Sequence, residues 1–268
     1  MIRKLLTAAL ALIALFYGSA CALLYSQQRA MLYHPTAAGD AMGAQEVSLP
    51  VDDAVLRLHV REQAGPRALI YFGGNGEYVA RNMEWLPQAL PGTALYLVNY
   101  RGYAGSTGTP TEAALFADAL RVYDEVAKLH PQVSIIGRSL GSGVAAYLAS
   151  ERPVQKLVLV TPYDSILNVA RGRYPWVPVS LVLQDRYESV TRAPRITAPT
   201  LALLAETATT IPRASSEALL AAFAPGRAQS VVIPGSDHNS IWGAPLYREK
   251  VAEFLQPFSF ALEVEKFW

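Results

Sequence analysis

Residues 133–143 read Val133-Ser134-Ile135-Ile136-Gly137-Arg138-Ser139-Leu140-Gly141-Ser142-Gly143. A short β-branched run thus enters a Gly-x-Ser-x-Gly turn, and an alanine-rich segment with apolar residues at helical spacing follows at 144–149. Strand, sharp turn and helix in this order form a nucleophile elbow, which holds its serine in a strained backbone conformation. The pattern predicts that Ser139 is a nucleophile. The N-terminus of the following helix would direct free N–H groups at an oxyanion formed beside it.

A glycine-rich turn between a strand and a helix also serves packing or phosphate binding in other proteins. No Gly-x-x-x-x-Gly-Lys-Ser/Thr pattern occurs in this sequence, which disfavours a phosphate site. The strand that precedes the turn favours the elbow.

The N-terminus carries a long apolar segment. Arg3 and Lys4 precede an uncharged run from Leu5 to Tyr25, and about twenty apolar residues span a bilayer. Gly18-Ser19-Ala20 resembles a signal-peptide cleavage site, but the apolar run continues past it, so we favour an uncleaved signal anchor over residues 1–29. The basic tail predicts that the remaining domain lies on the extracytoplasmic (periplasmic) side of the membrane.

Residues 30–268 are expected to form one domain of doubly wound α/β architecture with a mostly parallel sheet. Alternating runs on either side of Asp52-Asp53 predict an antiparallel hairpin, and continuous apolar runs such as 68–72 predict strands buried on both faces. Helical spacing covers Glu77 to Leu90 and, more clearly, Glu112 to Leu129. Later strands are expected at 157–160, 200–204 and 230–233, and later helices near 215–223 and 246–255.

The formal net charge is +1, with scattered lysines and arginines rather than a basic stripe, which argues against nucleic acid as a partner. The single cysteine, Cys21, lies inside the apolar run, so it leaves no intrachain disulfide for the domain.

A serine needs a base to take its proton, and histidine is the usual one. Of the four histidines, His238 alone follows a late strand in a loop, where the C-terminal strand ends of an open sheet converge on a ligand. A second oxyanion donor is expected in the glycine-rich loop after Phe72. We predict the backbone N–H groups of Leu140 and Asn75 as the pair, with Gly76 as the alternative to Asn75.

Four motifs occur together in this chain: Phe72-Gly73-Gly74-Asn75, Asn99-Tyr100-Arg101-Gly102-Tyr103-Ala104-Gly105-Ser106-Thr107-Gly108-Thr109-Pro110-Thr111-Glu112, Gly137-Arg138-Ser139-Leu140-Gly141-Ser142-Gly143 and Asp237-His238-Asn239. They resemble the α/β-hydrolase superfamily, and more narrowly its membrane-anchored BEM46-like branch of serine hydrolases. The resemblance implies that Ser139 is the nucleophile, His238 the base and the Phe72 loop the oxyanion site. Gly73 departs from the histidine common at its place, which matters little to a backbone donor.

The third member of the family's triad is where the sequence departs from the pattern. The matching segment places Ala208 where the aspartate belongs, and an alanine cannot orient His238. Asp164, in the loop after the preceding strand, is our leading substitute. Glu206 and Asp237 are weaker candidates, and a site without any acid stays open.

Residues 163–199 lie where the superfamily inserts its cap. Their aromatic and aliphatic residues suggest an apolar, lipid-like acyl substrate, and packing against the core is an equally good explanation of them. We therefore expect a membrane-anchored serine hydrolase that cleaves a small-molecule or lipid-like ester or thioester without metal or organic cofactor. The alternatives are an impaired homologue that serves as a membrane-anchored binding protein, and an amidase or peptidase.

Overall fold

The computed structural model describes residues 1–256. Within these residues, eight strands and nine α-helices follow one another, with three short 3-10 helices at Val79–Glu84, Ala193–Arg195 and Ile241–Gly243. The strands are β1 (Gln45–Val51), β2 (Ala54–Arg61), β3 (Arg67–Phe72), β4 (Ala94–Val98), β5 (Gln132–Arg138), β6 (Leu157–Val160), β7 (Thr200–Thr207) and β8 (Ala228–Asp237). The helices are α1 (Ile2–Leu32), α2 (Leu86–Ala89), α3 (Glu112–Leu129), α4 (Leu140–Glu151), α5 (Ile166–Arg173), α6 (Val179–Val182), α7 (Ser189–Arg192), α8 (Arg213–Ala221) and α9 (Pro245–Leu255).

The strands form a single mostly parallel sheet in the order β1-β2-β4-β3-β5-β6-β7-β8. The hairpin predicted around Asp52-Asp53 is confirmed, with Val51 paired to Ala54, and β2 also runs antiparallel to β4. All other pairs are parallel. The carboxyl ends of β3, β5, β6 and β7 therefore meet at one edge of the sheet, where ligands of open α/β folds bind.

Helices cover both faces of this sheet, as the continuous apolar strands require. In β3, Ile70 and Phe72 pack into the core on the face covered by α3 and α4, whereas Leu69 and Tyr71 pack into the core on the opposite face. Thr111 caps α3 as expected, because its side chain accepts a hydrogen bond from the Ala114 N–H.

The prediction of one continuous helix between Glu77 and Leu90 is wrong in detail. The segment divides into the 3-10 helix Val79–Glu84 and α2, with a break at Trp85 (φ −130°). Pro87 explains the break, because its ring lacks an N–H and collides with the carbonyl four residues earlier in a continuous helix.

The N-terminal helix α1 has 31 residues, which corresponds to a length of about 46 Å. An 18-residue window within it has a mean hydropathy of 2.0, so the helix is long and apolar enough to cross a membrane. Its residues 2–19 are exposed to solvent, whereas several residues nearer its C-terminus are half-buried. Between β6 and β7, the short helices α5, α6 and α7 occupy the region predicted as the cap.

Candidate active site

Ser139 lies between the last residue of β5 and the first residue of α4 and has φ 50° and ψ −117°. This left-handed conformation is strained for a residue with a side chain. The turn is tight because glycines flank it. A Cβ atom at Gly141 would lie 2.2 Å from the Phe72 carbonyl oxygen, and one at Gly137 would lie 2.4 Å from the Gly141 carbonyl oxygen. The strand-turn-helix geometry predicted for this stretch is present.

The loop after β8 brings His238 to this serine. The Ser139 Oγ and the His238 Nε2 are 2.9 Å apart, within hydrogen-bond distance. Arg138 Nη2 also donates to the His238 carbonyl oxygen at 3.2 Å, which ties the histidine loop to the elbow. The arrangement allows the imidazole to accept the serine proton.

The electrostatic surroundings favour a neutral imidazole. Burial lowers the pKa of His238, the Arg138 guanidinium lowers it further and Asp237 raises it in part, with a result of about 4. At neutral pH the histidine is therefore in the form that a general base requires. The same low pKa makes it a weak base.

The loop after β3 lies directly beside the nucleophile. A Cβ atom at Gly74 would lie 3.6 Å from the Ser139 Cβ, and Asn75 lines the same cavity as Ser139 and Leu140. Leu140 is the first residue of α4, where N–H groups have no intrahelical acceptor. These positions suit two backbone donors to an oxyanion, which is the role predicted for the N–H groups of Leu140 and Asn75.

A buried ion pair that sequence reasoning missed holds this loop in place. Arg138 Nη1 donates to Glu77 Oε2 at 2.9 Å, and the same carboxylate oxygen accepts the Gly74 N–H at 2.8 Å. The other oxygen, Oε1, accepts from Tyr71 and Asn82. Burial by itself raises the pKa of Glu77, but Arg138 and these donors together bring it below its usual range. The only signal in the sequence is a charged residue at the variable position before the motif's serine.

The structure does not bring Asp164 to His238. Its two carboxylate oxygens accept hydrogen bonds from Ser215 in α8 and from the Asn168 side chain in α5. Ser165 rather than Asp164 is the N-cap of α5. Because the chain turns into α5 straight after β6, the Asp164 carboxylate lies between two helices, and we do not assign it the acid role that the sequence suggested.

The other two carboxylates are also engaged elsewhere. Glu206 Oε2 accepts the Gly235 N–H at 3.0 Å, and Asp237 Oδ1 accepts the N–H groups of Asn239 and Ser240, both at 2.8 Å. Among residues 1–256, no carboxylate hydrogen-bonds to His238.

Ala208 directly follows β7 and lines a small cavity of about 10 Å³ together with His238. Thr161, Arg213 and Ser216 line it as well, and the Thr161 hydroxyl is buried without a hydrogen-bond partner among the described residues. Ala208 therefore borders the same space as the histidine, and its correspondence to the family's acid position stays a prediction.

A much larger cavity of about 540 Å³ opens at the nucleophile. This volume is in the range of small-molecule sites. Ser139 and Leu140 contribute to its lining, and about half of the other lining residues are aliphatic residues of α1 and of the cap, among them Leu24, Ile166 and Val179.

Comparison with other proteins is consistent with this geometry. A family model described as alpha/beta hydrolase fold matches residues 67–188. An uncharacterized protein of Mycobacterium tuberculosis is 34% identical over 247 residues, covering 85% of this chain and 86% of the relative. The Arabidopsis thaliana alpha/beta hydrolase domain-containing protein WAV2 is 24% identical and covers 92% and 95%. The lysophosphatidylserine lipase ABHD12 of Bos taurus is 38% identical over 81 residues, which are 28% of this chain and 20% of that protein.

Solved structures share the fold at low sequence identity. The Pyrococcus furiosus esterase Pf2001 superposes with a TM-score of 0.66 at 17% identity and covers 83% of this chain and 98% of the esterase. The alpha/beta hydrolase enzyme MGS-M2, from a deep-sea metagenome library, gives a TM-score of 0.67 at 12% identity, with coverage of 81% and 100%. Sheet order, elbow and relatives agree, and this chain belongs to the α/β-hydrolase superfamily.

Proposed function

We propose that this protein is a membrane-anchored serine hydrolase that cleaves carboxylic esters or thioesters of apolar acyl groups. The observation that carries the proposal is the 2.9 Å contact between the Ser139 Oγ and the His238 Nε2 in a strained elbow. The large aliphatic cavity at Ser139 supports an apolar acyl group. The esterase and lipase names of proteins with the same fold are consistent with an ester bond as the target.

The reaction follows from the positions of these groups. The Ser139 Oγ attacks the carbonyl carbon while its proton passes to the His238 Nε2. The backbone N–H groups of Leu140 and Asn75 stabilise the oxyanion. A leaving alcohol takes the proton from His238 as it departs, and a thiolate takes it after departing. Water then attacks the acyl-enzyme and gives a proton to His238. The carboxylic acid departs and Ser139 recovers its proton.

The proposed site has the serine and the histidine of a triad but lacks its acid. The missing acid limits the rate without abolishing the reaction. In serine proteases, disrupting the aspartate lowers kcat by about 10⁴, and substantial catalysis remains. Ala208 also supports the alternative of a membrane-anchored binding protein that has lost turnover. The two possibilities differ in whether Ser139 is activated.

The membrane topology is part of the same proposal. Helix α1 would serve as an uncleaved signal anchor, and Arg3 and Lys4 would keep its N-terminus in the cytoplasm. The domain from residue 30, with its cap at 163–199, would then act on the extracytoplasmic side. The narrower BEM46-like assignment remains a prediction.

The deciding experiment is to treat the full chain, in detergent, with a small fluorophosphonate and to locate the adduct by mass spectrometry. We expect rapid labelling of Ser139 and none in the Ser139→Ala variant. Hydrolysis of matched butanoyl ester, thioester and anilide substrates then separates an esterase from an amidase. A folded protein whose Ser139 does not react, but which Ala208→Asp makes reactive, is a silenced homologue and would contradict the enzyme assignment.

A further inference from the structure

We propose that the C-terminal half of α1 is a wall of the substrate site and that the cavity it lines takes an acyl chain directly from the lipid bilayer. The inference rests on the proposed function, because it names the substrate class of that same site as membrane-resident esters with a long acyl chain. The anchor helix is then part of the enzyme's specificity as well as its attachment.

One face of α1 borders the cavity. Leu24, Gln28 and Leu32 recur at intervals of four residues, are half-buried and line the 540 Å³ space that contains Ser139. Residues four apart lie on the same helix face. Leu23 lies off this face and is 63% exposed. The helix therefore presents a defined stripe to the cavity.

Polar contacts hold this part of α1 against the cap. Gln28 donates to the Val182 carbonyl oxygen at 3.1 Å and accepts the Gln184 N–H at 2.7 Å. Arg29 forms an ion pair with Asp185 at 3.0 Å, and the Asp185 carboxyl side chain is only 7% exposed. A flexible tether needs none of these contacts, whereas a fixed wall requires them.

The end of α1 also reaches the oxyanion loop. Asn75 Nδ2 donates to the Leu32 carbonyl oxygen at 3.1 Å, and the His34 N–H donates to the Asn75 carbonyl oxygen at 3.0 Å. Between them, the buried Tyr33 hydroxyl lies 2.9 Å from the hydroxyl of Tyr187. The position of the anchor is therefore coupled to the loop that faces Ser139.

The cavity lies close to the level at which the helix would leave the bilayer. The Tyr17 hydroxyl donates to the Trp176 carbonyl oxygen at 2.9 Å, and Trp176 and Leu181 of the cap are 54% and 83% exposed. Exposed tyrosine and tryptophan are typical of membrane interfaces. The 12 uncharged residues between Lys4 and Tyr17 supply about 18 Å of helix, so a ~30 Å hydrocarbon core that begins after Lys4 extends about 12 Å past Phe16. Leu24, about 10 Å along the axis from Tyr17, lies near that end of the core.

Together these observations place a cavity with many aliphatic side chains between the interfacial cap and the emerging helix, with the nucleophile in its lining. A long acyl chain leaving the bilayer along α1 would fill the aliphatic space and carry its ester carbonyl toward Ser139 and Leu140. A short water-soluble ester would use only the end of the cavity nearest Ser139.

Two matched substitutions test the wall in the full chain, reconstituted in phosphatidylcholine vesicles. Leu24→Trp narrows the cavity from α1, and Leu23→Trp adds the same side chain to an exposed position one residue earlier. We expect Leu24→Trp to lower kcat/KM for a dodecanoyl ester by about tenfold or more, while a butanoyl ester changes less than about twofold. Leu23→Trp should match the wild type with both esters.

Photocrosslinking provides a readout that does not depend on turnover. A phosphatidylcholine with a diazirine on its acyl chain should crosslink to Met31 and to the cap helices in the wild type, and Leu24→Trp should reduce the yield. The lipid site would be overturned, and the proposed hydrolase kept, by three results together. Ser139 reacts with the small fluorophosphonate, the two tryptophan variants have equal chain-length profiles, and no crosslink forms in the cavity. Crosslinks in the cavity with an unreactive Ser139 would contradict the proposed hydrolase and leave the lipid site standing.

Discussion

Restoring the missing acid is the sharpest perturbation that this site offers. Ala208 directly follows β7, is half-buried and borders the same small cavity as His238. In Ala208→Asp, a carboxylate would enter that space from the position that triad acids occupy in the superfamily. Ala208→Asn adds a side chain of almost the same shape without the charge and is the matched control.

The expected effect has two parts. A carboxylate beside the imidazole favours its charged form, so the pKa of His238 should rise from about 4 toward its ordinary value near 6.5. The stronger and better oriented base should raise kcat. Loss of the aspartate in serine proteases costs about 10⁴ in kcat, which sets the ceiling, and we expect a gain of about 10 to 10³ because this cavity did not evolve around the new side chain.

The assay is the pH dependence of butanoyl ester hydrolysis. For the wild type, a neutral imidazole is required and the pKa is about 4, so kcat/KM should fall only as the pH approaches 4. In Ala208→Asp the acidic limb should move up by about two pH units while the plateau rises. If the Asp and Asn variants share the wild-type midpoint and rate, Ala208 does not lie at the acid position and the reasoning fails.

Three further predictions concern the scaffold. Glu77→Gln should lower the free energy of unfolding by about 3–5 kcal/mol, because it leaves the buried Arg138 guanidinium unpaired. It should also slow fluorophosphonate labelling of Ser139. The surface change Glu125→Gln should alter neither quantity. Gly141→Ala should lower the free energy of unfolding, measured in urea, by about 3 kcal/mol, because the new Cβ would collide with the Phe72 carbonyl oxygen. Gly172→Ala has open space around its new Cβ and should leave the free energy of unfolding unchanged or raise it slightly. Equal effects of the two substitutions would refute the packing argument. The pKa of His238 is lower in the folded protein than in the unfolded protein, so the unfolded protein binds this proton first as the pH falls. The free energy of unfolding should therefore fall by up to about 3 kcal/mol between about pH 6.5 and pH 4. Urea unfolding of His238→Gln at both pH values should show a smaller decrease.

Local patterns predicted the elements whose structure depends on local chemistry. The elbow follows from glycines that allow a close approach, the β1-β2 hairpin from alternation around Asp52-Asp53, and α3 from apolar spacing and the Thr111 cap. In each case the signal and the structure lie within a few residues of one another.

The sequence did not predict the contacts between distant segments of the chain. The Glu77–Arg138 pair joins residues that are 61 positions apart, and the α1 contacts to the cap join residues more than 150 apart. Apart from the charge of Arg138 before the motif's serine, a single sequence carries no sign of either set of contacts. The acid role for Asp164 illustrates the same limit, since the right loop does not fix a side chain's direction, and Ser215 and Asn168 hold its carboxylate elsewhere.

The charges around His238 also bear on the kind of bond that the proposed hydrolase would cleave. His238 has no acid hydrogen-bonded to it among the described residues, and burial together with the nearby Arg138 guanidinium lowers its pKa, which keeps it neutral and weakly basic. Such a base makes formation of the oxyanion slow, and a substrate that tolerates this has a reactive carbonyl and a good leaving group. A thiol, with a pKa of about 8.5, departs from the tetrahedral intermediate without waiting for a proton, whereas an amine must be protonated first. The charges around His238 therefore favour thioesters and activated esters over amides.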